Sequence, residues 1–213
     1  MKKKKQSKNL NSFTIQKFDD KEEWLKARNG KITGSKLKDL IVKRGSGEKK
    51  QFYQLIADRI AIAPDGENPM ERGTRLEEEA VARFAKETGI KNINISLAIF
   101  SRIDNPNIAF SPDAYIGETE CVEAKCLSSA SHLEAYITQK VPSEYEDQII
   151  QPFIVNDNLK TLYLVFYDPR IPAKDFFFLT ISRSDYEEKI TEYLEYEKQK
   201  LALVEEWVLK LTF

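Results

Sequence analysis

Three residues in the middle of the chain have the types and spacing for metal-assisted hydrolysis. Asp113 lies in SPDAYIG (111–117), which ends on a glycine turn, and Glu123 and Lys125 lie in ECVEAKC (120–126), just beyond it. A strand of period two puts Val122, Ala124 and Cys126 on one face and Cys121, Glu123 and Lys125 on the other. The flanking residues are small or apolar, which places this strand near the core, where charge is costly unless paired or bound to a metal. A hairpin of this length brings Asp113 beside Glu123. Two adjacent carboxylates repel unless a divalent cation lies between them, and hard oxygen ligands with room for water suit Mg²⁺ or Mn²⁺. Glu123 and Asp113 then share a metal, and Lys125 neutralises the remaining charge. The plainer reading of the same residues is a buried Glu123–Lys125 pair with Asp113 in a turn.

Two further polar residues face inward on helical patterns. In a helix over about 71–88, Glu77, Ala80, Val81 and Phe84 follow i, i+3, i+4, i+7, so Glu77 lies on the apolar stripe, while Glu79 and Arg83 pair on the outer face. In a helix over 143–155, Tyr145, Gln148, Ile149 and Phe153 share a stripe with Gln148 at its edge. Pro152 cannot donate to the Gln148 carbonyl, which predicts a bend there.

The elements that must carry these residues read as helices over about 20–28, 34–44, 50–62 and 71–88, the last closed by Gly89. Strands are expected over about 93–100, 107–116 (irregular at Pro112) and 120–126. Helices near 129–138 and 143–155 precede apolar strands at 160–167 and 175–181, and a final helix runs from about Ser184 nearly to the end. Helices around a central sheet of hairpin and crossover strands make a mixed α/β fold. The 213 residues suit one domain, 1–213, with 1–10 as a flexible basic tail. One histidine and two cysteines exclude zinc sites, iron–sulfur sites and His-dependent nucleophilic catalysis. The net charge of −1 conceals a basic first quarter, with KKKK at the start and KITGSKLKDLIVKR at 31–44. No apolar run is long enough to span a membrane, and a cytoplasmic protein is expected.

PD at 112–113 with EAK at 123–125 resembles the PD-(D/E)xK nuclease motif. WLKARNGKITGSKL (24–37), RGTRLEEEA (72–80), SPDAYIG, VEAKC, YEDQIIQPFIV (145–155) and YDPR (167–170) follow in an order that resembles the phage lambda exonuclease, or YqaJ-type viral recombinase, family over about residues 22–182. The resemblance implies a restriction-endonuclease-like core and an alkaline 5′→3′ exonuclease. Such an enzyme degrades one strand of duplex DNA with two Mg²⁺ ions (or Mn²⁺) and leaves a 3′ single strand for a single-strand annealing protein. By position, Asp113 and Glu123 match the metal-binding carboxylates, with the Ala124 carbonyl a further ligand and Glu77 an additional acid near the metals. Lys125 matches the lysine that positions or activates water, and Gln148 the active-site glutamine. Arg28, Ser35 and Ser111 match residues that bind the 5′-terminal phosphate. A homotrimeric ring and a phage or prophage protein in the cytoplasm of a bacterial host are also implied. Pro152 departs from what the resemblance leads one to expect in its helix. An endonuclease or junction resolvase with this core has no use for an end-gripping pocket, and an inactive DNA-binding protein would carry the motifs without digestion.

Overall fold

The computed structural model describes residues 12–42, 49, 51, 52, 55, 71–127, 129–169 and 171–212. The lysine tail, the 63–69 loop, Lys43, Arg44, Lys50 and most of the helix expected over 50–62 lie outside the described residues. The expected central sheet is two sheets. Strands β1 (Phe13–Phe18), β2 (Leu97–Arg102) and β3 (Ala109–Phe110) form an antiparallel sheet in that order. Strands β4 (Ala114–Ile116), β5 (Glu120–Lys125), β6 (Thr161–Tyr167) and β7 (Phe176–Ser182) form the other, with β5 and β6 parallel and the outer pairs antiparallel. An isolated bridge between Asn94 and Tyr115 links the two. The break between β3 and β4 falls at Ser111–Asp113, around Pro112, which has no N–H to give to a ladder.

The helices are α1 (Lys21–Arg28), α2 (Gly34–Leu40), α3 (Glu71–Thr88), α4 (Ser129–Thr138), α5 (Gln151–Val155) and α6 (Glu187–Thr212). Helix α1 starts where the Asp20 side chain accepts the Glu23 N–H at 2.9 Å, and its last turn carries Lys26 and Arg28. Helix α3 ends at Gly89, whose φ of 68° suits a residue without Cβ. The helix expected over 143–155 is instead turns, a 3₁₀ segment at Gln148–Ile150 and the short α5. Pro152 sits at the start of α5, where a missing N–H costs nothing, and the Gln148 carbonyl accepts from Gln151 N–H instead. Strand β1 was not expected; only Phe13 in it is buried, so FTIQKF lacks an apolar run.

Each face of the β4–β7 sheet has its own core. On one, Ala80, Val81 and Phe84 of α3 pack on Ala114, Val122, Ala124 and Val165, with Phe84 edge-on to Phe178 at 5.2 Å. On the other, Cys121, Leu162, Leu164 and Phe166 face α5 and α6. Burying one such aromatic contributes about 1.5–3 kcal/mol, and these two layers hold β5 between them. Among the described residues no helix is long and apolar enough to cross a membrane.

Candidate active site

Strand β5 alternates as its sequence requires, with Val122 and Ala124 packed under α3 and Glu123 and Lys125 on the Cys121 face. Lys125 Nζ lies 2.9 Å from Glu123 Oε1, and the two side chains are only 13% and 17% exposed. The ammonium also stands 4.8 Å from the centre of the Tyr145 ring, a cation–π contact that holds it over β5. Gln148 Nε2 donates to the same Glu123 Oε1 at 2.6 Å. From the break before β4, Asp113 Oδ2 accepts the Ala124 N–H at 2.6 Å. Among the described residues Glu123 Oε2 and Asp113 Oδ1 receive no hydrogen bond, so each carboxylate keeps one oxygen for another partner.

All eight side chains singled out in the sequence, Arg28, Ser35, Glu77, Ser111, Asp113, Glu123, Lys125 and Gln148, line one cavity of about 210 Å³. They come from α1, α2, α3, β5 and the irregular segments beside β3 and before α5. Arg28 reaches in from the last turn of α1 with its guanidinium 4.4 Å from the Trp24 ring centre, and Trp24 Nε1 donates to the Ala98 carbonyl at 3.3 Å. Ser35 is exposed in the first turn of α2. Ser111 Oγ is buried and, among the described residues, has no hydrogen-bond partner.

The charges in the cavity strain one another. Burial, then the charges of Glu123 and Glu77, push the Asp113 carboxyl well above the usual carboxylate range, against the Ala124 N–H and Lys125. Glu77 is raised by burial and by Glu123, with Lys125, Lys21 and Arg28 opposing. Burial pulls Lys125 down, but Glu123 and Asp113 outweigh it and hold it above its ordinary value, so it is an ammonium. Burial lowers the Arg28 value, with Glu123, Asp113 and Glu77 opposing; an arginine stays charged all the same. A divalent cation between these carboxylates would relieve that mutual repulsion. Among the described residues no three His, Cys, Asp or Glu side chains could by themselves hold an ion. Two carboxylates with a free oxygen each, a backbone carbonyl and water suit the hard, water-retaining Mg²⁺.

The chain matches the YqaJ-like viral recombinase domain over residues 23–158, more than half its length. It belongs to the YqaJ-like viral recombinase family. A crystal structure of LHK-Exo in complex with dAMP has a TM-score of 0.76 and 30% identity, covering 89% of this chain and 95% of that one. An alkaline exonuclease (LHK-Exo) from Laribacter hongkongensis has a TM-score of 0.74 and 31% identity over the same shares. No curated protein matches. Like these structures, this YqaJ-like chain has a PD-(D/E)xK-type fold, and it is a nuclease of this family.

Trp24, Tyr145 and Pro152 belong to the site without having been singled out for it. Trp24 and Arg28 stand at i, i+4 on α1, a signal present in KEEWLKAR. Nothing in the sequence points Tyr145 at Lys125, because their contact depends on the parallel crossover from β5 to β6.

Proposed function

We propose that the chain is a divalent-cation-dependent exonuclease that digests one strand of linear duplex DNA from its 5′ end and leaves a 3′ single strand for an annealing protein. The observation that supports this most is the single cavity in which Arg28, Ser35 and Ser111 stand beside Asp113, Glu123 and Lys125. A grip for a terminal phosphate next to a hydrolytic centre suits removal of nucleotides from an end, and an enzyme cutting internally gains nothing from it.

In this reading Asp113, Glu123 and the Ala124 carbonyl hold the cation, with Glu77 beside them. When bound, the cation supplies Lewis-acid polarisation of the phosphate and a more acidic water, and a second ion would stabilise the leaving oxygen. Lys125, paired with Glu123 and set against the Tyr145 ring, offsets the negative charge that grows on the phosphorus centre. Gln148 fixes the Glu123 carboxylate through its 2.6 Å hydrogen bond. Arg28, pre-oriented on Trp24, forms two parallel bonds to the terminal phosphate, and the unpartnered Ser111 hydroxyl donates a further one. The protein works in the cytoplasm of a bacterium hosting the phage or prophage, and as a trimeric ring.

The test is digestion of linear duplex, with and without a 5′-phosphate, beside a covalently closed circle of the same sequence. The expected result is Mg²⁺-dependent loss of the linear forms, faster with the phosphate, and an intact circle. Cutting of the closed circle would support an endonuclease instead.

A further inference from the structure

Next to the cavity, beneath Gln148 and Gly34, lies a buried polar pair that the reaction as described does not use. Gln151 and Glu197 are both fully buried. Gln151 Nε2 lies 3.4 Å from the Ile32 carbonyl, 3.3 Å from the Ala109 carbonyl and 3.3 Å from Glu197 Oε2. Two of these contacts, and Gln151 itself, lead to residues of the site. Ile32 precedes the turn into α2 that carries Ser35, and it bridges to Ile108 beside β3. Ala109 opens the strand that runs on to Ser111 and Asp113. Gln151 itself closes the 3₁₀ turn begun by Gln148. Packing there is tight: a Cβ on Gly34 would stand 3.1 Å from Gln148 Cγ and 3.4 Å from Gln151 Cβ.

We propose that Gln151, backed by Glu197, is a positioning residue: it ties together the segments carrying Ser35, Ser111 and Gln148, and so sets the shape of the phosphate-binding end of the cavity. This rests on the nuclease reading above. One amide nitrogen with two hydrogens stands among three acceptors; the Ile32 carbonyl also takes the Ala109 N–H at 3.0 Å, so loss of the amide would leave the Ala109 carbonyl and Glu197 Oε2 as buried oxygens without a donor. Glu197 takes part as an acid. Glu197 Oε1 and Gln151 Oε1 are both buried without a partner, and a carboxylate would bring only acceptors to a place already crowded with them. Burial pushes the Glu197 carboxyl up to about 8, against the Gln151 bond and the charge of Arg102. Arg102, on β2, is itself held by Asp104, Asp157 and the Ile154 carbonyl.

The experiment compares wild type with Glu197→Gln, Glu197→Leu and Gln151→Met, at a temperature where melting curves show every variant folded. Two quantities are read: affinity for 5′-phosphorylated over 5′-hydroxyl duplex in chelator, and KM and kcat on the phosphorylated duplex with Mg²⁺. Glu197→Gln, which can both donate and accept, should match wild type. Glu197→Leu and Gln151→Met should lose the phosphate preference in binding and raise KM by about tenfold or more, the scale of a small misplacement at a site, with kcat much less affected. A Gln151→Met or Glu197→Leu protein that keeps the wild-type preference and KM overturns the inference. Wild type that binds 5′-phosphorylated ends preferentially yet never digests them would defeat the nuclease reading instead and leave the binding comparison to decide this one.

Discussion

Glu123 Oε1 takes hydrogen bonds from Lys125 and Gln148 together, which makes the work of the two donors separable. Lys125→Met removes the ammonium paired with Glu123 and should lower kcat by about 10²–10³, the usual loss for one preorganised charge-stabilising donor. Asp113→Asn keeps the shape but gives up a cation ligand; cleavage should fall by orders of magnitude while duplex binding in chelator persists, and full cleavage by this variant would remove Asp113 from the mechanism. Single-turnover rates and a filter-binding assay read the two effects apart. At this scale the sequence was informative where a polar group fell on an inward pattern: Glu77 on an apolar stripe, Glu123 and Lys125 on a core strand, where the plainer reading of a buried ion pair is also met at 2.9 Å. Trp24 and Tyr145 escaped because an aromatic residue on a helix or turn looks like core until its cation partner is seen.

At the scale of elements, the approach of α2 to the 148–151 turn is the tightest constraint on the site. In Gly34→Ala the new Cβ would meet the Gln148 carbonyl oxygen at 3.2 Å, and backbone cannot yield as a side chain would. The variant should lose about 1–3 kcal/mol of stability and lose cleavage in parallel, measured by denaturant melts and by digestion. Glu197 gives the packing of α6 a pH dependence. Its carboxyl is held at about 8 in the fold against an ordinary 4.5, so its contribution is fully present below 4.5 and is lost as pH rises through about 8. Glu197→Gln should therefore melt above wild type at pH 9 and close to it at pH 5, by about 2–4 °C for each kcal/mol in a domain of this size; a gap that does not change with pH would place a charged carboxylate there. Helix α3 runs over 71–88 with Ala80, Val81 and Phe84 buried on the face its stripe predicts. Strand β1 was missed because it buries a single residue. The helix expected over 143–155 failed at Gln148, since Pro152 makes a 3₁₀ turn the cheaper way to satisfy that carbonyl.

For the whole molecule, a mixed α/β fold was legible from the order of periodicities, but its division into two sheets was not. The irregularity expected at Pro112 is where the two sheets part, but no local pattern says that a strand interrupted there changes sheets or that Asn94 pairs with Tyr115. In the proposed reading a net charge of −1 gives little electrostatic grip at physiological salt, and a trimeric ring would hold the DNA by enclosure instead. Light scattering should accordingly give three times the chain mass of 24.6 kDa; a monomer whose digestion is trapped at once by competitor DNA would exclude the ring. The most direct test of the central claim, that this cavity grips a 5′ end and hydrolyses the next phosphodiester, is mononucleotide release from duplex labelled at either the 5′ or the 3′ end of one strand, by wild type and by Arg28→Ala. The account predicts early release of the 5′ label as a 5′-mononucleotide, faster from phosphorylated than from hydroxyl ends, with that preference lost in Arg28→Ala. Early release of the 3′ label, or an undiminished phosphate preference in Arg28→Ala, would contradict it.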